Sequence, residues 1–339
     1  MRFHNVAIEA IAYELAPHRV TSEELEAQMA ATMQRLGIPA GRLEALSGIR
    51  ERRFWDHGTM PSDVATSAAR KVIAQARVDP GAIGCLINTS VCKDYIEPSV
   101  ACLVHGNLRL PPTCINYDIS NACLGFLNGM TSAGLMIDAG LINYALVVDG
   151  EGAQEAVMAT VRRLQGEGVV QQEFRDSFAT LTLGSGAVAM LLCRKELSHS
   201  RRSLNGAVTL AATEHNRLCL GQPDYMKTDA SALLIAGVKL AAETWRVAAD
   251  ELPDWSDNQI AMYIPHQVGA RHVAAVAEAL GIKSHKLHLN FPTLGNIGPA
   301  ALPITLAMAE EAGRIKAGDH VALLGIGSGL NCSMMSVSW

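Results

Sequence analysis

The sequence lacks long uninterrupted hydrophobic runs and blocks of basic residues. No apolar stretch among its 339 residues approaches the roughly 18 residues that a membrane-spanning helix needs. The first 20 residues, MRFHNVAIEAIAYELAPHRV, have no long apolar core followed by the small residues of a signal-peptide cleavage site. The densest basic cluster is RERR at 50–53, and the net charge is −5. We therefore expect a cytoplasmic protein that neither spans a membrane nor binds nucleic acid.

Paired cysteine motifs are also missing. The chain has eight cysteines, but no two of them form a CxxC pair, and most lie inside apolar runs such as IGCLINTS and AMLLCRKE. In a cytoplasmic protein this pattern argues against disulfide bonds and against a zinc site. We expect no metal, and we expect most of the cysteines to be small apolar residues of the core.

The sequence does contain short apolar runs that alternate with helical patterns. Runs bounded by turn residues predict buried strands at 83–90, 144–150, 187–193, 260–266 and 320–329. Helical spacing and good helix formers predict helices at 62–77, 123–139, 229–250, 268–280 and 298–313. This alternation is typical of an α/β fold in which helices cover a largely buried sheet.

The same order of elements occurs twice along the chain. Thr89 aligns with His266 at an offset of 177 residues, and Ala145 aligns with Ala322 at the same offset. Both halves end in Gly-Ser-Gly followed by a strand. We interpret this as a duplicated fold with halves at 1–203 and 204–339, since the alternative is chance similarity between two ordinary βαβ units.

Three residues lie where such a duplication brings functional groups together. Cys123 begins a helix of the first half, His266 ends a strand of the second half, and Asn296 precedes the helix equivalent to that of Cys123. A helix N-terminus is expected to lower the pKa of the thiol, and Gly125 permits the close approach of another backbone. Histidine and asparagine N–H groups can stabilise a developing enolate or oxyanion. These residues suit acyl-thioester chemistry, although a core histidine and a turn asparagine remain the alternatives.

Five motifs give the chain a specific resemblance. It resembles the thiolase superfamily and, within it, the ketoacyl synthase III-like condensing enzymes. The matching motifs follow one another in the family order: SGIRERRFW (47–55), NACLGF (121–126), IPHQ (264–267), GNIGPAALP (295–303) and GIGSGLNCS (325–333). Stretches such as LINTSVCKDYIEPS are most similar to the OleA-type branch, which joins two long-chain acyl-CoA molecules head to head in bacterial olefin biosynthesis.

The resemblance implies a fold and a site. The fold would be the duplicated, five-layered αβαβα thiolase fold with two mixed sheets around central helices. Cys123 would carry the acyl group, His266 and Asn296 would form a hydrogen-bonding pair, and the backbone N–H groups of Cys123 and Ser328 would form a second oxyanion hole. Glu97, in IEPS, would remove the α-proton of the second acyl group by reaching into the active site of the partner subunit of a homodimer.

The same resemblance implies a non-decarboxylative Claisen condensation that needs acyl-CoA as substrate but no metal or redox cofactor. Its product would be a 2-alkyl-3-keto acid, and enzymes of the downstream pathway are possible partners. The nearest alternatives are a decarboxylating synthase that uses malonyl-acyl carrier protein, an acyl-CoA thioesterase and a non-catalytic pathway subunit. Acyl chain length, CoA contacts, the final pathway product and any heteromeric partner stay open.

Overall fold

A computed structural model describes residues 1–339 and has a mixed α/β fold. The strands are β1 (Val6–Leu15), β2 (His18–Thr21), β3 (Glu51–Phe54), β4 (Ile83–Asn88), β5 (Ile115–Asp118), β6 (Tyr144–Glu151), β7 (Gly186–Arg194), β8 (Ser203–Ala211), β9 (Cys219–Gln222), β10 (Tyr225–Thr228), β11 (Ile260–Pro265), β12 (His320–Gly327) and β13 (Asn331–Ser338). The helices are α1 (Ser22–Gln28), α2 (Ala30–Arg35), α3 (Arg42–Ser47), α4 (Pro61–Ala76), α5 (Val100–Leu108), α6 (Gly125–Asp138), α7 (Gln154–Leu164), α8 (Gln171–Ser177), α9 (Ala230–Glu251), α10 (Ala270–Leu280), α11 (Phe291–Leu294) and α12 (Ala301–Glu311). The strands and helices predicted from periodicity therefore exist, with ends that shift by up to three residues.

Nine strands form one large mixed sheet in the order β11-β12-β13-β8-β1-β7-β6-β4-β5. In the first half, β4 is parallel to β6, and β6, β7 and β1 are antiparallel neighbours. In the second half, β11 is parallel to β12, and β12, β13 and β8 are antiparallel neighbours. The two predicted sheets meet edge to edge, where β1 pairs with β8 at Ala7 and Ser203 and the residues before β1 pair with it at Arg2 and Gly206. The proposed boundary at 203/204 falls at the first residue of β8 and stays a prediction.

The strands alternate their side chains between two faces, which builds the layers. In the first half, one face packs against α4 and α5 and the opposite face packs against α6. In the second half, one face packs against α9 and α10, whereas the other joins the cluster of 36 buried residues that contains α6 and α12. The two central helices are thus covered by strands of both halves.

The carboxyl ends of four strands carry the segments of interest. The chain leaves β4 toward Glu97, β6 toward Gly152, β11 toward His266 and β12 toward Ser328. No helix of the protein combines the length and the hydropathy needed to cross a membrane.

Candidate active site

Cys123 lies in a tight segment that precedes α6. Ala122 adopts a left-handed conformation with φ of +45°, which is uncommon for a residue with a side chain. A Cβ atom at Gly125 would lie 2.7 Å from the carbonyl oxygen of Thr89. The predicted close backbone approach at Gly125 is therefore confirmed, and it brings the end of β4 against the start of α6.

The glycine-rich turn after β12 packs against the same segment. A Cβ atom at Gly327 would lie 3.0 Å from the Asn121 carbonyl oxygen and 3.1 Å from the Leu124 nitrogen. The Asn331 side chain also donates a hydrogen bond to the Asn121 side chain at 3.3 Å. The backbone of Ser328, which follows Gly327, is thereby held beside the Cys123 segment.

The electrostatic surroundings of Cys123 differ from those that the sequence predicts. Burial raises the pKa of its thiol to about 12 instead of lowering it. Cys219, Glu151 and Asp149 add to the rise in pKa, because a thiolate would repel negative charge beside it. The first residue of α6 is Gly125, so Cys123 lies outside the helical turn whose free N–H groups were expected to stabilise the thiolate. The resting thiol is protonated and must lose its proton during attack.

His266 follows the last residue of β11 and is buried. Its backbone N–H donates to the Leu324 carbonyl at 2.8 Å, while both ring nitrogens lack a hydrogen-bond partner. Burial, and secondarily the nearby His272, lowers the pKa of His266 to about 3. The imidazole is therefore neutral, with both ring nitrogens free of other bonds.

His266 and His272 line one small, mainly apolar cavity of about 20 Å³ together with Gly325. The strand that lines this cavity also contacts the Cys123 segment, since a Cβ atom at Gly325 would lie 2.7 Å from the Leu124 side chain. The Nδ1 atom of His272 is inaccessible and has no partner, and burial lowers the pKa of this histidine to about 4. No sequence pattern singles out His272, because its position on α10 is what brings it to the cavity.

Asn296 is held on three sides by backbone groups. Its N–H donates to the Thr182 carbonyl at 2.9 Å, and its carbonyl accepts from Gly184 at 2.9 Å. The side-chain Oδ1 atom accepts from the Gly298 N–H at 3.0 Å, which is the turn geometry that asparagine favours. Nδ2 donates to no group of the chain, so the turn bond orients the amide and leaves its N–H groups available.

Glu97 lies on a loop that projects from the chain. The loop between β4 and α5 has no regular secondary structure, and Ile96 beside the glutamate is 100% exposed. Glu97 is itself exposed, and its carboxylate is in no hydrogen bond or ion pair of the chain. The fold thus gathers the segments of Cys123, His266 and Ser328, whereas Glu97 stands in solvent.

Two buried acids at the end of β6 are a part of the site that sequence reasoning missed. Asp149 is 0% exposed and Glu151 is 5% exposed, and both act on the pKa of Cys123. Glu151 also lies against the asparagine loop, since a Cβ atom at Gly298 would be 3.5 Å from its carboxyl carbon. The sequence feature that could have indicated these acids is the pair of carboxylates at the end of the otherwise apolar strand YALVVDGE.

Comparisons with known proteins place the chain in a family. Residues 117–207 match 3-oxoacyl-[acyl-carrier-protein] synthase III, and residues 251–339 match the C-terminal part of the same synthase. The acyl-CoA:acyl-CoA alkyltransferase of Xanthomonas campestris is 47% identical over 339 residues, and each protein is covered completely. The enzyme of the same name from Shewanella oneidensis is 40% identical over 351 residues, again with complete coverage of both chains.

A solved structure extends the match to three dimensions. A cysteine-to-serine variant of Xanthomonas campestris OleA, which holds lauric acid and lauroyl-CoA, superposes with a TM-score of 0.97 at 46% identity. The match covers 99% of this chain and 100% of that one, so the thiolase-type fold is confirmed. With this length and level of identity, the chain belongs to the synthase III-like condensing enzymes, is an acyltransferase and falls among the OleA-type acyl-CoA:acyl-CoA alkyltransferases.

Proposed function

We propose that this enzyme joins two long-chain fatty acyl-CoA molecules by a non-decarboxylative Claisen condensation and releases a 2-alkyl-3-keto acid. The observation that supports the proposal is the exposed carboxylate of Glu97, which has no partner within the chain, on the loop that follows β4. A synthase that releases CO₂ from malonate generates its carbanion without such a base. An enzyme that condenses two ordinary acyl groups must remove an α-proton.

Acylation of Cys123 is the first proposed step. The thiol sulfur attacks the carbonyl carbon of the first acyl-CoA, and the acyl group moves to the cysteine while free CoA leaves. The thiol proton goes to the departing CoA thiolate, by way of a neutral His266 whose ring nitrogens have no other partner. Backbone N–H groups of Cys123 and Ser328 would stabilise the negative oxygen of the tetrahedral intermediate.

Carbon–carbon bond formation follows in the proposed sequence. The Glu97 carboxylate removes an α-proton from the second acyl-CoA, and His266 and Asn296 donate hydrogen bonds to the resulting enolate oxygen. The α-carbon attacks the Cys123 thioester, which yields a 2-alkyl-3-ketoacyl-CoA and returns the proton from Glu97 to the cysteine. Water then hydrolyses the remaining thioester to the keto acid and CoA. Every step is acid–base or acyl-transfer chemistry, so none requires a metal or redox cofactor.

We propose that the enzyme is a homodimer in which Glu97 serves the active site of the partner subunit. Full exposure of Ile96, together with 54% exposure of Tyr95, supports this arrangement, because two large apolar side chains at a loop tip are suited to burial by another chain. We further propose that the enzyme acts in the cytoplasm, since all eight cysteines are unpaired, and that its product enters bacterial olefin biosynthesis.

Product analysis with myristoyl-CoA as the sole substrate tests the reaction. We expect catalytic release of CoA and a ketone after heating, because a 2-alkyl-3-keto acid loses CO₂. Glu97→Ala should abolish the ketone, whereas Glu167→Ala, which removes another exposed loop glutamate, should leave it unchanged.

Each rival function predicts a different result in this assay. Strict dependence on malonyl-acyl carrier protein would identify a decarboxylating synthase, and myristic acid as the only product would identify a thioesterase. A chain without any acyl adduct on Cys123 in intact-protein mass spectrometry would be a non-catalytic subunit. Any of these three outcomes would refute the proposed condensation.

A further inference from the structure

We infer that Glu151 is a positioning residue whose buried carboxylate holds the loop of Glu97 in place for proton abstraction. This inference rests on the proposed role of Glu97 as the base. Glu151 reaches no substrate in this assignment and acts only through the loop.

Both oxygens of the Glu151 carboxylate accept hydrogen bonds from the beginning of the loop. Oε1 accepts a hydrogen bond from the Val91 N–H at 2.6 Å, and Oε2 accepts one from the Cys92 N–H at 3.3 Å. Two bonds from one anion to consecutive backbone amides fix both the position and the direction of the segment that leads to Glu97.

The same side chain lies against the loop of Asn296. A Cβ atom at Gly298, whose φ is +56°, would lie 3.5 Å from the Glu151 carboxyl carbon. Because the Gly298 N–H also donates to the Asn296 side chain, Glu151 lies between the start of its own Glu97 loop and its own asparagine loop. In the proposed dimer the first would serve the partner's site and the second the site of its own chain.

Asp149 is the acid of this pair that is protonated first, which favours the charged form of Glu151. The two side chains share a hydrogen bond, and the Thr89 hydroxyl donates to Asp149 Oδ2 at 2.6 Å. Burial raises the pKa of Asp149 well above its usual range and that of Glu151 to about 7, so the first proton of the pair resides on Asp149. A protonated Asp149 donates to Glu151, and an ionised Glu151 can then accept from both backbone amides.

Two other carboxylates anchor the chain farther along, within the loop and at the start of α5. Asp94 accepts from the backbone N–H of Ser62 at 3.0 Å and from its hydroxyl. Asp118 accepts from the N–H groups of Val100 and Ala101 at 3.2 and 2.8 Å. Among the three carboxylates, Glu151 is the one that accepts from the first residues of the loop, Val91 and Cys92, so it sets the direction in which its own chain presents Glu97 to the partner's site.

The negative charge of Glu151 disfavours the thiolate form of Cys123, and this effect makes the role of Glu151 testable. An anion at this place raises the pKa of Cys123, so it hinders acylation while it supports condensation. A substitution that removes the anion should therefore change the two half-reactions in different directions. A side chain that only stabilised the fold would impair both.

Glu151→Gln in the full-length enzyme is the main test, with Glu26→Gln as the matched control. Glu26 is another buried glutamate whose two oxygens accept from consecutive parts of a loop, at Gly41 and Leu43, each at 2.6 Å. Acylation is followed as the rapid burst of CoA release from myristoyl-CoA, and condensation as ketone formation after heating.

We expect Glu151→Gln to acylate at the wild-type rate or faster, while kcat for condensation falls about 10- to 100-fold at unchanged KM. The isotope effect of α-deuterated myristoyl-CoA on condensation should increase, because proton abstraction becomes slower. Glu151→Asp keeps the charge but shortens the reach, so it should acylate normally and also condense slowly. Glu26→Gln should alter neither half-reaction beyond its effect on the amount of folded protein.

A double-mutant cycle with Glu97→Gln separates this inference from the proposed function. If both residues act through the same proton abstraction, Glu151→Gln should slow condensation less than about twofold in the Glu97→Gln background. Equal losses of acylation and condensation, or a full additional loss in the double mutant, would overturn the positioning role. If Glu97→Gln itself condenses like the wild type, the proposed function fails instead.

Discussion

Cys123 and Glu97 belong to one proposed reaction, yet the fold places them in opposite environments. The cysteine lies between the ends of β4 and β12 and the start of α6, where its thiol is desolvated. The glutamate stands on an exposed loop beside an isoleucine that is 100% exposed. Burial of a neutral thiol costs little free energy. Burial of an unpaired carboxylate costs on the order of several kcal/mol, because its hydration is lost. The comparison is in keeping with the proposal that acylation is complete within one chain and that deprotonation depends on a second surface.

The largest expected effect comes from separating the two residues onto different chains. Homodimers of Cys123→Ala and of Glu97→Ala should each condense at less than about 1% of the wild-type rate. A heterodimer of the two variants, isolated with two affinity tags, should recover about half of the wild-type activity per dimer, because one of its two symmetric sites is complete. A heterodimer no more active than its parents would show that Glu97 acts within its own chain.

Acid should destabilise the enclosed part of the site. His266 has a folded pKa of about 3 against 6.5 unfolded, so the unfolded chain takes up the proton first as pH falls. Its contribution to stability is complete above pH 6.5 and is lost between 6.5 and 3, at about 1.4 kcal/mol per pH unit. His266→Asn should reduce the loss of unfolding free energy between pH 7.5 and 5 by about 2 kcal/mol, measured by urea denaturation.

His57→Asn is the control for this experiment, because His57 is an exposed histidine. Its pH dependence of unfolding should equal that of the wild type. An equally steep pH dependence in His266→Asn would contradict the neutral, desolvated state of this imidazole.

Enclosure of the cysteine also predicts a packing effect. Gly125→Ala places a methyl group 2.7 Å from the Thr89 carbonyl oxygen, which should lower the free energy of unfolding by about 1–3 kcal/mol and slow the CoA burst. Gly106→Ala, in α5 with nothing within 4 Å of the new methyl group, should instead raise stability by about 0.5–1 kcal/mol. Equal urea midpoints for the two variants would contradict the close approach at Gly125.

The smallest effect on stability should come from a substitution in the exposed loop that carries Glu97. Ile96→Ser should change the unfolding free energy of the chain by less than about 0.5 kcal/mol and leave the CoA burst intact, while condensation falls severalfold. Ile235→Ser replaces another isoleucine, 74% exposed in α9, and should leave both half-reactions unchanged. If Ile96→Ser condenses normally, the loop tip is not part of the surface that delivers Glu97.

Much of the fold follows from local pattern. The strands at 83–90 and 260–266 and the helix at 229–250 were predictable because buried strands and amphipathic helices repeat their apolar residues with different periods. The same patterns place Cys123 and His266 at the ends of elements. The joining of the N-terminal segment to β8 was not predictable, since the pairs between residues 7 and 203 and between residues 2 and 206 are about 200 positions apart in the chain and leave no periodic trace.

The site was predictable in its residue types but not in its electrostatics. A cysteine before a helix predicts a lowered thiol pKa only if solvent or donors surround it. Here the helix begins two residues later, and two acids from β6 lie nearby. Those acids are 26 and 28 positions away from Cys123 in the chain, so no short motif contains both partners.

By itself, the sequence determined the secondary structure and, through its motifs, the family and its layered fold, because each depends on residues that are close in the chain; the reactive side chains it named stay a prediction. Only the tertiary structure decided which groups are desolvated, which charges oppose the thiolate and which loop Glu151 holds. Hydrogen bonds, dielectric surroundings and Coulomb interactions depend on distances of a few ångströms in space. These distances arise when the ends of β4, β6, β11 and β12 come together.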